Sequence, residues 1–308
     1  MNADRPTILV TGATGFIGRQ LCARLIEDDF AVRCIVRNPA SERAVALERL
    51  GCELHVADLT RPAGIAEALT GVDIAYFLVH MISDDENYPA IERAAAARFG
   101  RLAKEAGVKR VIYLGGLGDE STSKHLAARR NVAIRLEHEG PPLTYFRAAM
   151  VIGPGSESYE LLRAIVERMP VLPAPDWLET KTQPIGASDV VDYLREAIDV
   201  PESEGREIQI GGPDVLTHLD VVNEMARALG RRPPRRIKMS AEIARPATVA
   251  AGAGAITDGD SEIAVEISLG LTTPTIVTDP SGAELFTTHP HRIDAVLAEA
   301  IDGAEVVA

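Results

Sequence analysis

TILVTGATGFIGRQL, residues 7–21, is the stretch whose reading decides the fold. Thr7 to Val10 specify a short buried strand, and FIGRQLCARLIED (16–28) places apolar residues at helical spacing. Between them fall Gly12, Gly15 and Gly18. Gly12 permits a tight turn, Gly15 lets backbone N–H groups approach a ligand, and Gly18 lets the helix pack closely on the strand. A helix entered this way points free N–H groups and the positive end of its dipole at an anion. Strand, glycine loop, helix and second strand follow one another in the order that the pyrophosphate of a dinucleotide requires. Thr14, Phe16 and Ile17 stand beside it.

The alternation continues outward. AVRCIV (31–36), CELHVAD (52–58), DIAYFLV (73–79), RVIYLGG (110–116) and LTYFRAA (143–149) are apolar runs short enough to be buried strands. SERAVALERLG (41–51), GIAEAL (64–69) and the stretches 90–106 and 121–138 read as helices between them. This predicts an α/β fold, a Rossmann-like doubly wound parallel sheet with a smaller C-terminal substrate lobe. Residues 1–154 are expected to form the dinucleotide-binding domain, whose core also takes parts of 182–214. Residues 155–308 would be mainly the substrate-facing lobe and C-terminal segment.

Past residue 150 the pattern loosens. SYELLRAIVERMP reads as a helix stopped by Pro170. TQPIGASDVVDYLREAID predicts an extended piece and then a helix capped by Ser188, with Asp189 in its first turn. EIQIGG (207–212) reads as a strand, and HLDVVNEMARALG as a helix ended by Gly230. The prolines of RRPPRR (231–236) suggest a turn, and the small residues of 244–260 a loop or lid.

Composition excludes other classes. A net charge of −13 and 4% aromatic residues argue against nucleic acid, which requires a basic surface or stacking platforms. No apolar stretch is long enough to span a bilayer, and no leader pattern opens the sequence, so a soluble, cytoplasmic protein is expected. Cys22, Cys34 and Cys52 show no metal-binding spacing and read as small buried hydrophobes. No metal site is expected, and His289 and His291 read as exposed loop.

Cofactor preference is set at the end of the second strand. A carboxylate there would bind the ribose hydroxyls of NAD, but the sequence has Arg37, which suits a 2′-phosphate. NADP(H) is therefore expected in preference to NAD(H). Asp58 and Leu59 would border the adenine, and Asp58 would also serve to cap the next helix. Leu78, Val79 and His80 would lie along the dinucleotide. Gly115 and Gly116 would leave room for cofactor or substrate. Ala149 follows the sixth strand on the same side, and Met150 and Tyr159 are the candidate substrate contacts, with Tyr159 alternatively anchoring a helix.

Together these residues resemble the extended and atypical branch of the short-chain dehydrogenase/reductase superfamily. LVH (78–80), YLGGLG (113–118), HLAAR (125–129), FRAAMVIGPGS (146–156), TQPIGASDVV (182–191) and IGGPDVLT (210–217) narrow the resemblance to NmrA-like NAD(P)H-binding proteins of the YbjT type. It runs from about residue 5 to 230. It implies a Rossmann-like domain, a smaller substrate lobe and a nicotinamide cofactor. The superfamily's catalytic helix carries a Tyr and a Lys four residues apart, and the segment around 121–138 has no Tyr. His125 and Arg129 stand at the matching spacing, as a proton donor and a ribose contact respectively, and His80 is a further candidate acid.

Two functions compete on this reading. One is an NADPH-dependent oxidoreductase passing hydride to a small organic acceptor, a carbonyl, quinone or activated alkene, without the usual Tyr–Lys pair. The other is a non-catalytic NADP(H)-sensing regulatory protein. Either has a small molecule as its partner.

Overall fold

The fold was analysed in a computed structural model that describes residues 5–80, 87–118, 124–239 and 271–307. Its first half alternates strictly. β1 (Thr7–Thr11), α1 (Phe16–Glu27), β2 (Ala31–Val36), α2 (Glu42–Leu50), β3 (Glu53–Val56) and α3 (Ile65–Leu69) come first. Next are β4 (Ile74–Phe77), α4 (Tyr88–Glu105), β5 (Arg110–Gly116), α5 (Lys124–Glu139) and β6 (Leu143–Ala148). The second half has β7 (Val151–Ile152), α6 (Glu157–Arg168), β8 (Val171–Pro175), β9 (Lys181–Thr182), β10 (Ile185–Gly186) and α7 (Ala187–Glu196). After these come β11 (Glu207–Ile210), β12 (Leu216–Thr217), α8 (His218–Ala228) and β13 (Arg235–Met239). The helices Ser281–Leu285 and Ile293–Val307 close the chain.

Seven strands form one parallel sheet in the order β11-β6-β5-β4-β1-β2-β3. Apart from β11 this is the strand order of a Rossmann sheet, whose order reverses between β1 and β4. Successive strand residues face opposite layers, as the pleat demands. Ile8, Val10, Cys34, Tyr76 and Phe146 pack with Leu21 and Leu25 of α1 and Leu194 of α7. Leu9, Ala75, Phe77, Val111 and Tyr113 pack on the other face with Ala95 and Phe99 of α4 and Val132 and Leu136 of α5. Each large side chain buried in this way contributes about 1.5–3 kcal/mol.

Polar ties fix the elements that frame the cleft. Thr11 Oγ1 donates to Tyr76 O at 3.1 Å and accepts from Leu78 N at 3.2 Å, so the exits of β1 and β4 are locked together. Tyr76 Oη donates to Leu194 O at 2.7 Å and joins the sheet to α7. Arg110, only 2% exposed, donates to Ile198 O, Val200 O and Ser203 Oγ, holding the turn that leads into β11.

A third apolar cluster builds the smaller C-terminal lobe. Leu162 and Val166 of α6, Leu219, Val222 and Met225 of α8, Trp177, and Leu297 and Ala300 of the last helix meet there. Two sequence expectations change in this half. Ser188 does not cap α7: Gly186 occupies that position, and the Ser188 hydroxyl bonds Glu299 Oε2 at 3.0 Å. Asp189 does lie in the first turn, buried, and receives His291 N and Nδ1. Within RRPPRR only the first four residues are irregular, because Arg235 and Arg236 begin β13 and pair with β8. The segment 244–260 lies outside the described residues.

The cysteines converge although their sequence positions do not. Cys22, Cys34 and Cys52 place their sulfur atoms within 4.8 Å of one another, between α1 and β2. All three are buried free thiols. Hydrogen bonding with Cys34 and then Cys52, together with burial, pushes the Cys22 thiol well above its ordinary value. Among the described residues, no helix is long and apolar enough to cross a membrane.

Candidate functional site

The cleft is entered from the glycine loop. Gly12 has φ +67°, and a Cβ there would lie 2.5 Å from Leu78 O, so the loop runs directly under the exit of β4. A Cβ on Gly18 would meet Gly12 O at 2.2 Å, so α1 starts in close contact with the turn. Ser41, Ser156 and Thr217 cap α2, α6 and α8 with side-chain oxygens. By contrast α1 has Gly15 at its N-cap, no side-chain cap and no acid in its first turn. Its first N–H groups are therefore left for an external anion, and a pyrophosphate fits that requirement.

These elements line one cleft of about 970 Å³. Thr14, Gly15, Phe16 and Ile17 form its floor, Arg37 and Asp58–Leu59 one end, and Leu78–His80, Gly115 and Ala149 the centre. Every cofactor contact expected from sequence thus borders the same space. Gly115 and Gly116 do so for a different reason from the one expected. A Cβ on Gly115 would lie 2.7 Å from the buried Tyr145 ring, and one on Gly116 2.9 Å from the half-buried Leu126, so neighbouring side chains occupy the space the glycines leave.

The Arg37 end is more basic than its sequence suggested. Arg19 and Arg43 line the cleft as well. Burial and then the Arg43 charge lower the Arg19 pKa, the signature of crowded cations. Asp58 accepts from Thr60 N and Oγ1 at 2.9 and 2.8 Å, so it closes a local turn, while Gly64 sits at the N-cap of α3. Burial raises the Asp58 pKa, but the Thr60 hydrogen bonds and the Arg37 and Arg61 charges outweigh it and hold the carboxyl below its ordinary value.

At the centre, His80 Nδ1 lies 3.5 Å from Oε1 of the buried Glu92. Burial, and then the Arg129 charge, push the His80 pKa well down, although 29% of its side chain remains exposed. The ring is thus neutral at neutral pH, not the cationic donor that a histidine acid would ordinarily be. Arg129 Nη1 donates to Leu114 O at 3.3 Å, and its buried Nε has no hydrogen-bond partner among the described residues. His125 falls in the first turn of α5, and its side chain lies outside the described part.

The second lobe supplies the facing wall through Met150, Glu157, Ser158, His218, Leu271 and Thr275. Met150 lies where the sequence reading put it. Tyr159 does not reach the cleft. It is fully buried in the core of the lobe, beside Arg163, and anchors α6. His218 and Glu157 went unrecognised, because a His opening one helix and a Glu opening another carry no local signal of facing a common space. Arg43 could have been found, since it follows Arg37 within the same turn-to-helix passage.

The NmrA-like family model matches residues 4–243. The chain belongs to the NmrA-like family. Among curated relatives, this NmrA-like chain is 29% identical to a (4-alkanoyl-5-oxo-2,5-dihydrofuran-3-yl)methyl phosphate reductase of Streptomyces griseus, over 79% of its own length and 80% of the relative's. It is 27% identical to an NAD(P)H azoreductase of Xenophilus azovorans, over 80% and 81%. The structure of an NADPH-dependent quinone oxidoreductase from Escherichia coli, complexed with NADPH, superposes with a TM-score of 0.75. It has 20% identity and covers 96% of this chain and 99% of that one. At that identity the likeness concerns the fold alone, a Rossmann-type parallel α/β architecture.

Proposed function

We propose that this NmrA-like protein is an NADPH-dependent reductase that passes hydride to a small organic acceptor, a carbonyl compound, quinone or activated alkene. The observation that carries the reading is the cleft of about 970 Å³, floored by an uncapped helix N-terminus and walled by a second lobe. That volume lies at the upper end of the roughly 300–1,000 Å³ usual for small-molecule sites, enough for a dinucleotide and a second molecule. Reductase activity is what the two curated relatives are named for.

The bound dinucleotide supplies the hydride, and the chain supplies everything else. The Gly12–Gly15 loop and α1 orient the pyrophosphate. Arg37, with Arg19 and Arg43 behind it, meets the 2′-phosphate. Asp58, already engaged by Thr60 and facing Arg37, borders the adenine rather than competing for the ribose. The partnerless Nε–H of Arg129 is the donor for a ribose hydroxyl. Glu92 orients the neutral His80 ring beside the strand end, where it can hold a water, and solvent supplies the proton that the reduced acceptor takes up. His125 is the candidate side-chain proton source to test.

Side-by-side calorimetric titration with NADPH and NADH, followed by NADPH oxidation against a panel of acceptors, tests this reading. Tighter NADPH binding and turnover with any acceptor support it. A dinucleotide sensor is the second reading, favoured by the absence of a tyrosine from α5. Tight binding without turnover across the panel would select it. Failure to bind either dinucleotide would remove the basis of both.

A further inference from the structure

His218 is the first residue of α8, and its backbone is held firmly. Thr217 and Asp220 close a capping box around the helix start, and His218 N donates to Thr180 O at 3.2 Å. The side chain is only 5% exposed and lines the cleft. One ring nitrogen has the Leu271 backbone as its hydrogen-bond partner, and the other has none among the described residues. An enclosed polar atom left without a partner costs about 1–3 kcal/mol, and this side chain holds one. Burial pushes the ring pKa down to about 4, so at neutral pH the imidazole is uncharged and offers one donor and one acceptor.

The polar parts of a dinucleotide have other partners. The phosphates face α1 and the arginines, and the ribose faces Arg129, all on the sheet side. His218 belongs to the opposite wall. Resting on the reductase reading above, we infer that His218 is the substrate-recognition residue, hydrogen-bonding through its ring to the oxygen of an uncharged carbonyl compound, a quinone or enone, held against the nicotinamide.

The rest of the wall points to the same chemistry. Met150, Ser158, Leu271 and Thr275 offer no positive charge, and Glu157 would repel an anion unless protonated. A neutral imidazole among them satisfies a carbonyl oxygen without needing a counter-ion. It is poorly suited to a phosphate or carboxylate, which requires a cation to offset its desolvation.

The experiment uses the full chain, first titrated with NADPH and then saturated with NADP⁺. The probes are menadione, a neutral 1,4-naphthoquinone, and 1,4-naphthoquinone-2-sulfonate, its anionic counterpart, with binding followed by calorimetry. Menadione is expected to bind at least tenfold more tightly than the sulfonate. His218→Leu is expected to weaken menadione binding about tenfold or more, with His218→Gln recovering part of the loss and NADPH affinity unchanged within twofold. Removing an unpartnered buried nitrogen offsets the lost Leu271 hydrogen bond and leaves the unliganded His218→Leu protein melting no lower than the parent, whereas a histidine serving only to hold the core would show a fall. His218→Phe repeats the comparison with ring volume kept, should the Leu variant not fold. Menadione binding unaffected by both apolar variants would overturn the inference, as would tighter binding of the sulfonate. So would a parent protein that binds NADPH but neither quinone. No NADPH binding in the first titration would instead bring down the reductase reading itself.

Discussion

On the sheet side of the cleft, ligand-facing groups belong largely to the backbone and to neighbouring residues: the 12–18 loop, the strand ends at 78–80, and arginines within one β2–α2 passage. On the facing wall they are side chains brought from distant segments, at 150–158, 218 and 271–275. The first side is held by its own geometry, with glycine Cβ positions blocked by backbone atoms and Thr11 bonded to both Tyr76 and Leu78. The second is held by the hydrophobic core of the smaller lobe, with one His218 ring nitrogen unpartnered among the described residues. A dinucleotide presents the same phosphates to every protein that binds it, so repetitive backbone chemistry suffices. A small acceptor has to be selected, which takes side chains that a chain can vary independently.

The largest expected effect tests whether the two sides stand or fall together. Arg110→Met removes the donor that satisfies Ile198 O, Val200 O and Ser203 Oγ, at the turn that brings the chain into β11. A loss of about 3 kcal/mol in urea unfolding is expected, since three contacts of a buried guanidinium are lost together and Ile198 O loses this donor, while Val200 O keeps Ser203 N and Oγ. Two separated transitions, instead of one at lower urea, would show the lobes to be less coupled than their shared cleft suggests.

Gly12→Ala should disable the sheet side alone. The left-handed φ and the contact with Leu78 O force the loop away from α1, and NADPH binding should fall by about 100-fold or more. Retained binding in calorimetry would mean that the loop is not the phosphate cradle.

Arg37→Ala should sharpen the comparison within the sheet side. Loss of one charge-assisted hydrogen bond weakens NADPH binding by about 10- to 100-fold and leaves NADH nearly unchanged. Equal weakening of both would assign Arg37 to the adenine ring instead of the phosphate.

The smallest effect lies away from the cleft. The hydrogen bond that the His291 ring makes to the Asp189 carboxylate, and then the Asp189 charge, raise the His291 pKa above its ordinary value. For a raised group the stabilisation is fully present below the unfolded value of about 6.5 and disappears as pH rises through the folded one. With the ring 61% exposed, the melting temperature should fall by only about one or two degrees across that window. His291→Ala should flatten that dependence, and an unchanged profile would show that the pair contributes nothing measurable.

Much of the sheet side was legible in the sequence because its signals are local. The glycine spacing, the strand ends and Arg37 all belong to short runs whose backbone conformation fixes where they point. Misreadings arose where a neighbour distant in the chain decides. Gly115 reads as open space until Tyr145 of the adjacent strand fills it. Ser188 reads as a cap until the last helix offers Glu299. Tyr159 reads as a pocket residue until α6 turns it into the second core.

The sequence by itself determined the parallel sheet, the glycine turn that opens α1 and the arginine that follows β2. Periodicity, glycine spacing and short-range charge are properties of contiguous residues. Only the tertiary structure decided that three cysteines from separate elements meet, that Arg19 and Arg43 join Arg37, and that His218 borders the cleft with one ring nitrogen unpartnered among the described residues. Those outcomes depend on how the layers pack, because burial and hydrogen-bond partnership are fixed by residues that no local pattern brings together.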